Sequence, residues 1–519
     1  MPHENMYITK ICSEICSLVH GRAVAGCLHL RSMFFLALFM SFANAILAVS
    51  LREEFVYPKL LQQRSDDGRL LLRINDDMTL HLQKSSVLAD DLFFTTNAGR
   101  QSEDTLWNGS RIEENLYHDS KYQSSIMLYE DDHSVKVEGI LSATLRIKPM
   151  PSSERSGDAS ILHKVYEIDD VKQKFDETAD TWITPFNVPW FNAPWGPSTQ
   201  SAPPANRELP EEYVAEVHVV SCSSHEKEFE TNEELIAYIA VLMNAVNIWY
   251  EGMENPRIRT KIVGITRNTD GDYEVREDGY LIADRTLNRF SEYADKSIPG
   301  HPDAVYLMTS QEMASISLSG TIDTGVAGLA FVGTLCGFQN VAIGEDPAGS
   351  FKGVYPAAHE LAHTLGSAHD GDPGVRAIPN NPGAKDCPWE EGYLMSYADG
   401  GTKKFELSPC SQGQIRALLR HVPQTCLDET SDKDYMSSHR KAPGQLISAE
   451  DYCNILLKNQ GRGVPLMKAD MLEECRFQCC LRTYYGPGRC NTEFVPEGMQ
   501  CAEGKTCRKG VCGDFKWER

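Results

Sequence analysis

At 519 residues with a formal net charge of −23, the chain is long enough for two or three domains with proper cores. The acidic balance argues against a nucleic-acid partner, which demands basic surface. Sixteen cysteines, most of them in the last third, would be out of place in a reducing cytosol and point to an oxidising compartment.

Residues 1–48 read as a signal-peptide region. The run from Met33 to Ala45 has the short apolar core and small-residue ending of a signal peptide, with Arg22 and Arg31 upstream and cleavage expected after Ala45 or Ala48. The stretch before it, with Cys12, Cys16 and Cys27, is long for an n-region, so Met33 is an alternative start. A retained signal anchor is the rival reading, against which the apolar run is short for a bilayer span. No later segment has the length and apolarity of a membrane span, so a secreted, extracellular protein is expected.

Residues 49–209 read as a separate pro-region. The alternation in Thr79-Leu-His-Leu-Gln83 and Ser134-Val-Lys-Val-Glu138 predicts strands of a β-rich unit. Asn108-Gly109-Ser110 is an N-glycosylation sequon on that unit. The proline-studded stretch carrying Trp182, Trp190 and Trp195 is either a stiff linker or a segment lying across a cleft.

Residues 210–427 should form an α/β domain. Predicted strands at Val214 to Val220, Ile258 to Ile265, Ala304 to Met308 and Gly325 to Val332 alternate with helical stretches at Asn232 to Glu251 and Thr286 to Ala294. That alternation predicts a mixed sheet covered by helices.

The run His359-Glu360-Leu-Ala-His363-Thr-Leu-Gly366-Ser-Ala-His369-Asp370 carries the chemistry. Residues four apart share a helix face, so His359 and His363 can present two imidazoles to one metal. Gly366 stands where a chain leaving the helix in a left-handed conformation needs a residue without a Cβ, and the turn delivers His369. Three protein ligands with a fourth position open to water is the catalytic rather than the structural zinc pattern. Glu360 is the candidate general base for metal-assisted hydrolysis. Asp370 is placed to orient the site by hydrogen bonding. Downstream, Gly392-Tyr393-Leu394-Met395-Ser396-Tyr397 supplies a methionine in a tight turn, an apolar floor for the imidazoles.

These residues resemble the metzincins, and Asp370 after the third histidine points to the reprolysin or adamalysin branch, which includes venom and ADAM-type metalloproteases. The resemblance extends to Tyr213 to Ser221 and Asn232 to Tyr250, similar to the family's first strand and helix, and to Thr334-Leu335-Cys336 and Leu407-Ser408-Pro409-Cys410-Ser411. Gly139 to Pro149 is similar to a stretch of reprolysin propeptides. The resemblance implies a zinc endopeptidase with disulfides Cys336 to Cys426 and Cys387 to Cys410, and a structural Ca²⁺ held by Glu216, Asp303 and Asp428. Against calcium stands the plainer reading of acidic residues on a solvated face. Gly328-Leu329-Ala330 resembles the edge strand that receives an extended substrate, with a core strand as the plainer reading.

Two departures are informative. Where reprolysins commonly carry proline two residues after the turn methionine, this chain has Tyr397. In astacins and serralysins a tyrosine there approaches the zinc, so Tyr397 is a candidate oxyanion stabiliser, against a tyrosine packed in the turn. No cysteine lies between Cys27 and Cys222, so a propeptide cysteine cannot hold the metal in a latent form. Cys222 itself is left over, open to a free thiol, a bond to the next domain, or another chain.

After a linker at 428–445, residues 446–519 carry eight cysteines and read as a disulfide scaffold. Their end, Gly498 to Cys512, is similar to the close of ADAM and ADAMTS cysteine-rich modules, which implies an exosite for protein substrates. The resemblance to soluble venom or salivary reprolysins implies substrates in extracellular matrix or plasma, such as gelatin and fibrinogen or fibrin. The alternative is a binding or decoy protein acting through its cysteine-rich module, against which Glu360 and three intact histidines speak.

Overall fold

The computed structural model describes residues 53–62, 70–98, 101–131, 134–150, 160–168, 207–317, 319–429, 431, 442–445, 447–457, 464–483 and 486–515. The expected signal peptide and the segment with Trp182, Trp190 and Trp195 lie outside the described residues. No helix among the described residues is long and apolar enough to cross a membrane.

The N-terminal region is β-rich. Its strands are β1 (Glu53–Val56), β2 (Lys59–Gln62), β3 (Leu70–Arg73), β4 (Thr79–Lys84), β5 (Leu88–Ala98), β6 (Gln101–Asn108), β7 (Leu116–Asp119), β8 (Ser124–Asp131), β9 (Ser134–Ile140), β10 (Leu145–Pro149) and β11 (His163–Glu167). Nine of them form one sheet in the order β1-β11-β10-β9-β8-β7-β4-β3-β2. Leu72, Leu80, Leu82, Ile126 and Val137, with no exposed surface, fill one face of it. Alternation of inward apolar and outward polar residues, as in β9, is what makes these segments strands.

β5 and β6 leave that sheet. They extend a second, seven-stranded sheet made with β12 (Glu212–Ser221), β13 (Arg257–Asn268), β16 (Ala304–Thr309), β19 (Gly328–Ala330) and β20 (Val341–Glu345), in the order β19-β20-β16-β12-β13-β5-β6. β5, β13, β12, β16 and β20 run parallel, while β19 and β6 are antiparallel at the two edges. Between β13 and β20, β14 (Arg276–Glu277), β15 (Tyr280–Ile282), β17 (Met313–Ile316) and β18 (Ile322–Asp323) form a small sheet.

The helix Asn232–Tyr250 starts on a reciprocal cap in which Thr231 accepts from the Glu234 amide and Glu234 reaches back to the Thr231 amide. Fifteen of its nineteen residues are buried, because it lies between β13 on one side and β8 and β9 on the other. A helix apolar all round is what such a position requires.

The C-terminal module is built on β21 (Val464–Lys468), β22 (Arg476–Thr483), β23 (Gly486–Phe494), β24 (Gln500–Ala502), β25 (Lys505–Arg508), β26 (Val511–Gly513) and the helix Ala449–Leu457. Four disulfides hold it, joining Cys453 to Cys479, Cys475 to Cys507, Cys480 to Cys490 and Cys501 to Cys512. Leu71 of β3 sits in its core with Tyr452, Phe477 and Val495.

His81 makes this junction pH-sensitive. It is buried, its Nε2 lies 2.8 Å from the Tyr452 hydroxyl, and burial together with the Lys121 charge pushes its pKa down to about 3. A histidine depressed in the fold contributes stability above its unfolded pKa near 6.5 and loses it as pH falls toward 3. Each pH unit in that window should cost up to about 1.4 kcal/mol. Hydrogen-exchange protection factors at Tyr452 and Phe477, corrected for the intrinsic rate at each pH, should therefore fall from pH 6.5 to 4.5, and His81→Gln should flatten that dependence.

Candidate metal centre

His359 and His363 sit on the helix Val354–Thr364, all eleven residues of which are buried. The helix is anchored at its start by Asp346, whose Oδ1 accepts from the Gly353 amide at 2.8 Å and whose Oδ2 accepts from Tyr238 at 2.7 Å. In its middle the Tyr250 hydroxyl donates to the Ala358 carbonyl at 2.6 Å. Gly366, at φ +100°, turns the chain out of the helix, and a Cβ there would press on Leu418 and Ile378. That turn brings His369 back over the helix.

The three Nε2 atoms converge. His369 Nε2 lies 3.1 Å from that of His359 and 3.1 Å from that of His363. His359 Nδ1 faces the Leu394 carbonyl at 2.9 Å and His363 Nδ1 the Ser367 carbonyl at 2.7 Å. A carbonyl oxygen only accepts, so both Nδ1 atoms carry the proton and both Nε2 atoms present lone pairs. Two lone pairs facing one further ring nitrogen cannot both be satisfied by its single proton, whereas a cation satisfies all three. The edge of a tetrahedron with metal–nitrogen bonds of 2.0–2.1 Å is about 3.3 Å, close to the separations seen. The donor set therefore fits zinc, and the carbonyl-bound Nδ1 atoms are the outer partners that fix such ligands.

Around this centre the predicted residues gather. Met395 has no exposed surface, and its carbonyl accepts from the Asp370 amide at 2.9 Å. The Tyr355 hydroxyl lies 3.1 Å from the Leu394 carbonyl and 3.3 Å from that of Ser396, holding the turn against the helix. Asp370 Oδ1 accepts from Ser408 Oγ at 2.6 Å, tying the third-histidine loop to the start of the helix Pro409–Leu419. The Tyr397 hydroxyl lies 3.1 Å from His369 Nε2 and 3.4 Å from His359 Nε2, while its ring packs against the core beside the turn. The neighbouring Trp389 packs edge-on to both His369 and Tyr397.

Glu360 is fully buried and lies against the backbone of the edge strand β19. A Cβ built on Gly328 would stand 2.5 Å from Glu360 Oε1 and 2.7 Å from its Cγ. Sequence reasoning placed Gly328 on the edge strand but gave no sign of this contact, which joins residues 32 apart. Gly328→Ala must displace the whole Glu360 side chain from Cγ outward, and because that side chain is fully buried the melting temperature should fall along with the activity. A displacement near 1 Å at a catalytic group lowers kcat by about 100-fold. A thermal melt and steady-state kinetics on the same preparation check both halves of this expectation.

Cys336 is bonded to Cys426 and Cys387 to Cys410. Cys222 is buried without a disulfide, 3.0 Å from Ser224 Oγ. Asn108 is exposed, its side chain accepting from the Arg111 amide at the start of a short helix.

The expected calcium ligands are not brought together: Glu216, Asp303 and Asp428 do not form a group of facing ligand atoms. Asp303 Oδ2 accepts from the Tyr213 hydroxyl at 3.0 Å and the Glu216 amide at 2.9 Å, and burial pushes its carboxyl up to about 7. Glu216 Oε1 accepts from the Ser431 amide, and Asp428 Oδ1 from Gln424. Lys261, paired with Glu216 across β12 and β13, brings a buried ammonium to this corner and donates to Glu429 at 2.8 Å.

Three imidazoles converging from a buried helix and its return loop, with a glutamate beside them, define a metallopeptidase centre. Residues 303–421 match the family described as "Metallo-peptidase family M12B Reprolysin-like". This part of the chain is similar to the reprolysins, and the chain is a metalloendopeptidase. It is 25% identical over 393 residues to a venom metalloproteinase antarease of Tityus serrulatus, covering 72% of this chain and 93% of that one. It is 29% identical over 418 residues to a venom metalloproteinase of Olivierus martensii, covering 77% and 98%. A protein of Bombyx mori described as "A disintegrin and metalloproteinase with thrombospondin motifs like" is 29% identical over 298 residues, covering 54% and 41%.

Proposed function

We propose that the chain is a secreted metzincin that cleaves internal peptide bonds of extracellular matrix or plasma proteins, gelatin and fibrinogen or fibrin among them. The observation that carries this reading is the convergence of the three Nε2 atoms with Glu360 and Tyr397 beside them. His359, His363 and His369 would hold zinc, which supplies a Lewis acid for the peptide carbonyl and lowers the pKa of water toward 7. Glu360 takes the proton of the attacking water and returns it to the leaving amine. Tyr397 donates a hydrogen bond to the developing oxyanion. Met395 forms the apolar floor under the imidazoles. The strand β19 stands last in its sheet, antiparallel to β20, and is where an extended substrate would pair through its backbone, orienting the scissile bond without demanding a sequence. Secretion is supported by six disulfides among the described residues and by relatives named as venom proteins. The chain would be made as a precursor with residues 49–209 ahead of the enzyme.

Tyr397→Phe should lower kcat by about 100-fold with KM little changed, because the hydroxyl acts only once the oxyanion forms. Stopped assays over a range of peptide concentrations separate the two constants. The function itself is tested by expressing the chain in a secretory host and assaying gelatin and fibrinogen with and without a zinc chelator. Chelator-sensitive fragments are expected; a processed, zinc-loaded protein that cleaves neither these nor a broad peptide library overturns the reading.

A further inference from the structure

Three surfaces join residues 53–168 to the rest of the chain, and each is core rather than rim. β5 pairs in parallel with β13 from Leu88 opposite Ile262 to Asn97 opposite Asn268. Further bonds run from the Ile262 amide to the Val87 carbonyl and from the Thr269 amide to the Asn97 carbonyl. Without β5, the twelve-residue β13 would be an open sheet edge.

The second surface is the far face of the helix Asn232–Tyr250. Ser125 Oγ of β8 donates to the Val241 carbonyl at 2.8 Å and accepts from Asn244 at 2.9 Å. Leu88, Phe94, Leu116, Met127 and Ile140 share one core with this helix. Arg146, only 3% exposed, donates to the carbonyls of Phe351 at 3.0 Å and Ser350 at 3.2 Å, just ahead of the histidine helix. The third surface is the C-terminal module, reached by Leu71, by His81 on Tyr452, and by Lys121 and Tyr122 against the Phe494 ring.

We propose that residues 53–168 are a permanent structural layer of the enzyme, which stays bound without a covalent link when the chain is cut between 169 and 206. On this layer the C-terminal module is seated. The proposal rests on the reading above that the chain is processed, but its physical ground does not depend on activity. Release would uncover the far face of the long helix, the β13 edge and the Leu71 side of the disulfide module together. It would also leave the Ser350 and Phe351 carbonyls without the Arg146 donor. No cysteine lies between Cys27 and Cys222, so packing alone holds the layer.

The test places a recognition sequence for a site-specific protease between residues 180 and 200 of the full chain and follows the cut protein by size-exclusion chromatography in native buffer. The two fragments should co-elute where the uncut chain does and separate only in denaturant. An N-terminal fragment eluting alone, beside a monodisperse remainder that keeps its circular dichroism, overturns the proposal. Arg146→Met in the same chain should raise the released fraction on dilution by about tenfold, the weight of a hydrogen-bonded buried charge. Unchanged retention in that variant would show that this surface does not hold the layer and counts against the proposal. Neither readout uses peptide cleavage, so a co-eluting but inactive protein would count against the peptidase reading alone.

Discussion

Glu360→Gln is expected to lower kcat/KM for peptide cleavage by about 1,000-fold while the protein still binds one zinc. The substitution keeps the shape of a side chain with no exposed surface, so the contact with Gly328 and the packing of the histidine helix survive. What is lost is a group able to accept a proton, and general base catalysis is worth about 10² to 10⁴ in rate. Such a loss corresponds to about 4 kcal/mol of transition-state stabilisation. Zinc content, melting temperature and kinetics on one preparation separate this from a folding defect. Activity within tenfold of the parent would remove Glu360 as the base.

Removing the bond between Cys336 and Cys426 by a double Ala substitution should have the largest effect on stability. It closes a loop of sequence separation 90 that contains all three histidines, Glu360 and Met395. In the chain-entropy account a loop of that length is worth about 4.6 kcal/mol. Against a total stability of about 5–15 kcal/mol this is a large share, and a drop in melting temperature of roughly 10 °C or more should follow. The Tyr213 hydroxyl, 3.8 Å from Cys426 Sγ and bonded to Asp303, would lose its packing at the same place. The bond between Cys387 and Cys410, of separation 23, should cost less when removed. A ranking in which the shorter loop mattered more would contradict this entropic argument.

What the sequence disclosed and what it hid follow one physical line. The histidine positions, the left-handed Gly366 and the strands Val214 to Val220 and Ala304 to Met308 depend on neighbours within a few residues, so periodicity and spacing reveal them. The mixed sheet followed from the alternation of those elements. The departure of β5 and β6 into the second sheet was not readable, because Leu88 and Ile262 meet across 174 residues and one strand pattern serves either sheet equally well. The same holds for Gly328 against Glu360 and for His81 under Tyr452, which are contacts of the fold and not of the local chain. Lys261 was hidden for another reason. Acidic residues alone were weighed for a cation site, while the buried ammonium beside them came into view only with the register of β12 and β13. Tyr397 also stood between two readings, and the structure places its hydroxyl within 3.4 Å of two histidine nitrogens while its ring packs on the core.

The proposed reading makes His359, His363 and His369 the ligands of one catalytic zinc. Dialysis against a chelator strips the metal, and zinc is then titrated back while peptide cleavage and bound metal are followed together. Activity should be absent at the start, rise with added zinc and break at one equivalent per chain, and His363→Ala should show neither uptake nor activity at that point. Cleavage that persists in the stripped protein, or a full equivalent of zinc bound equally well by His363→Ala, would contradict the account.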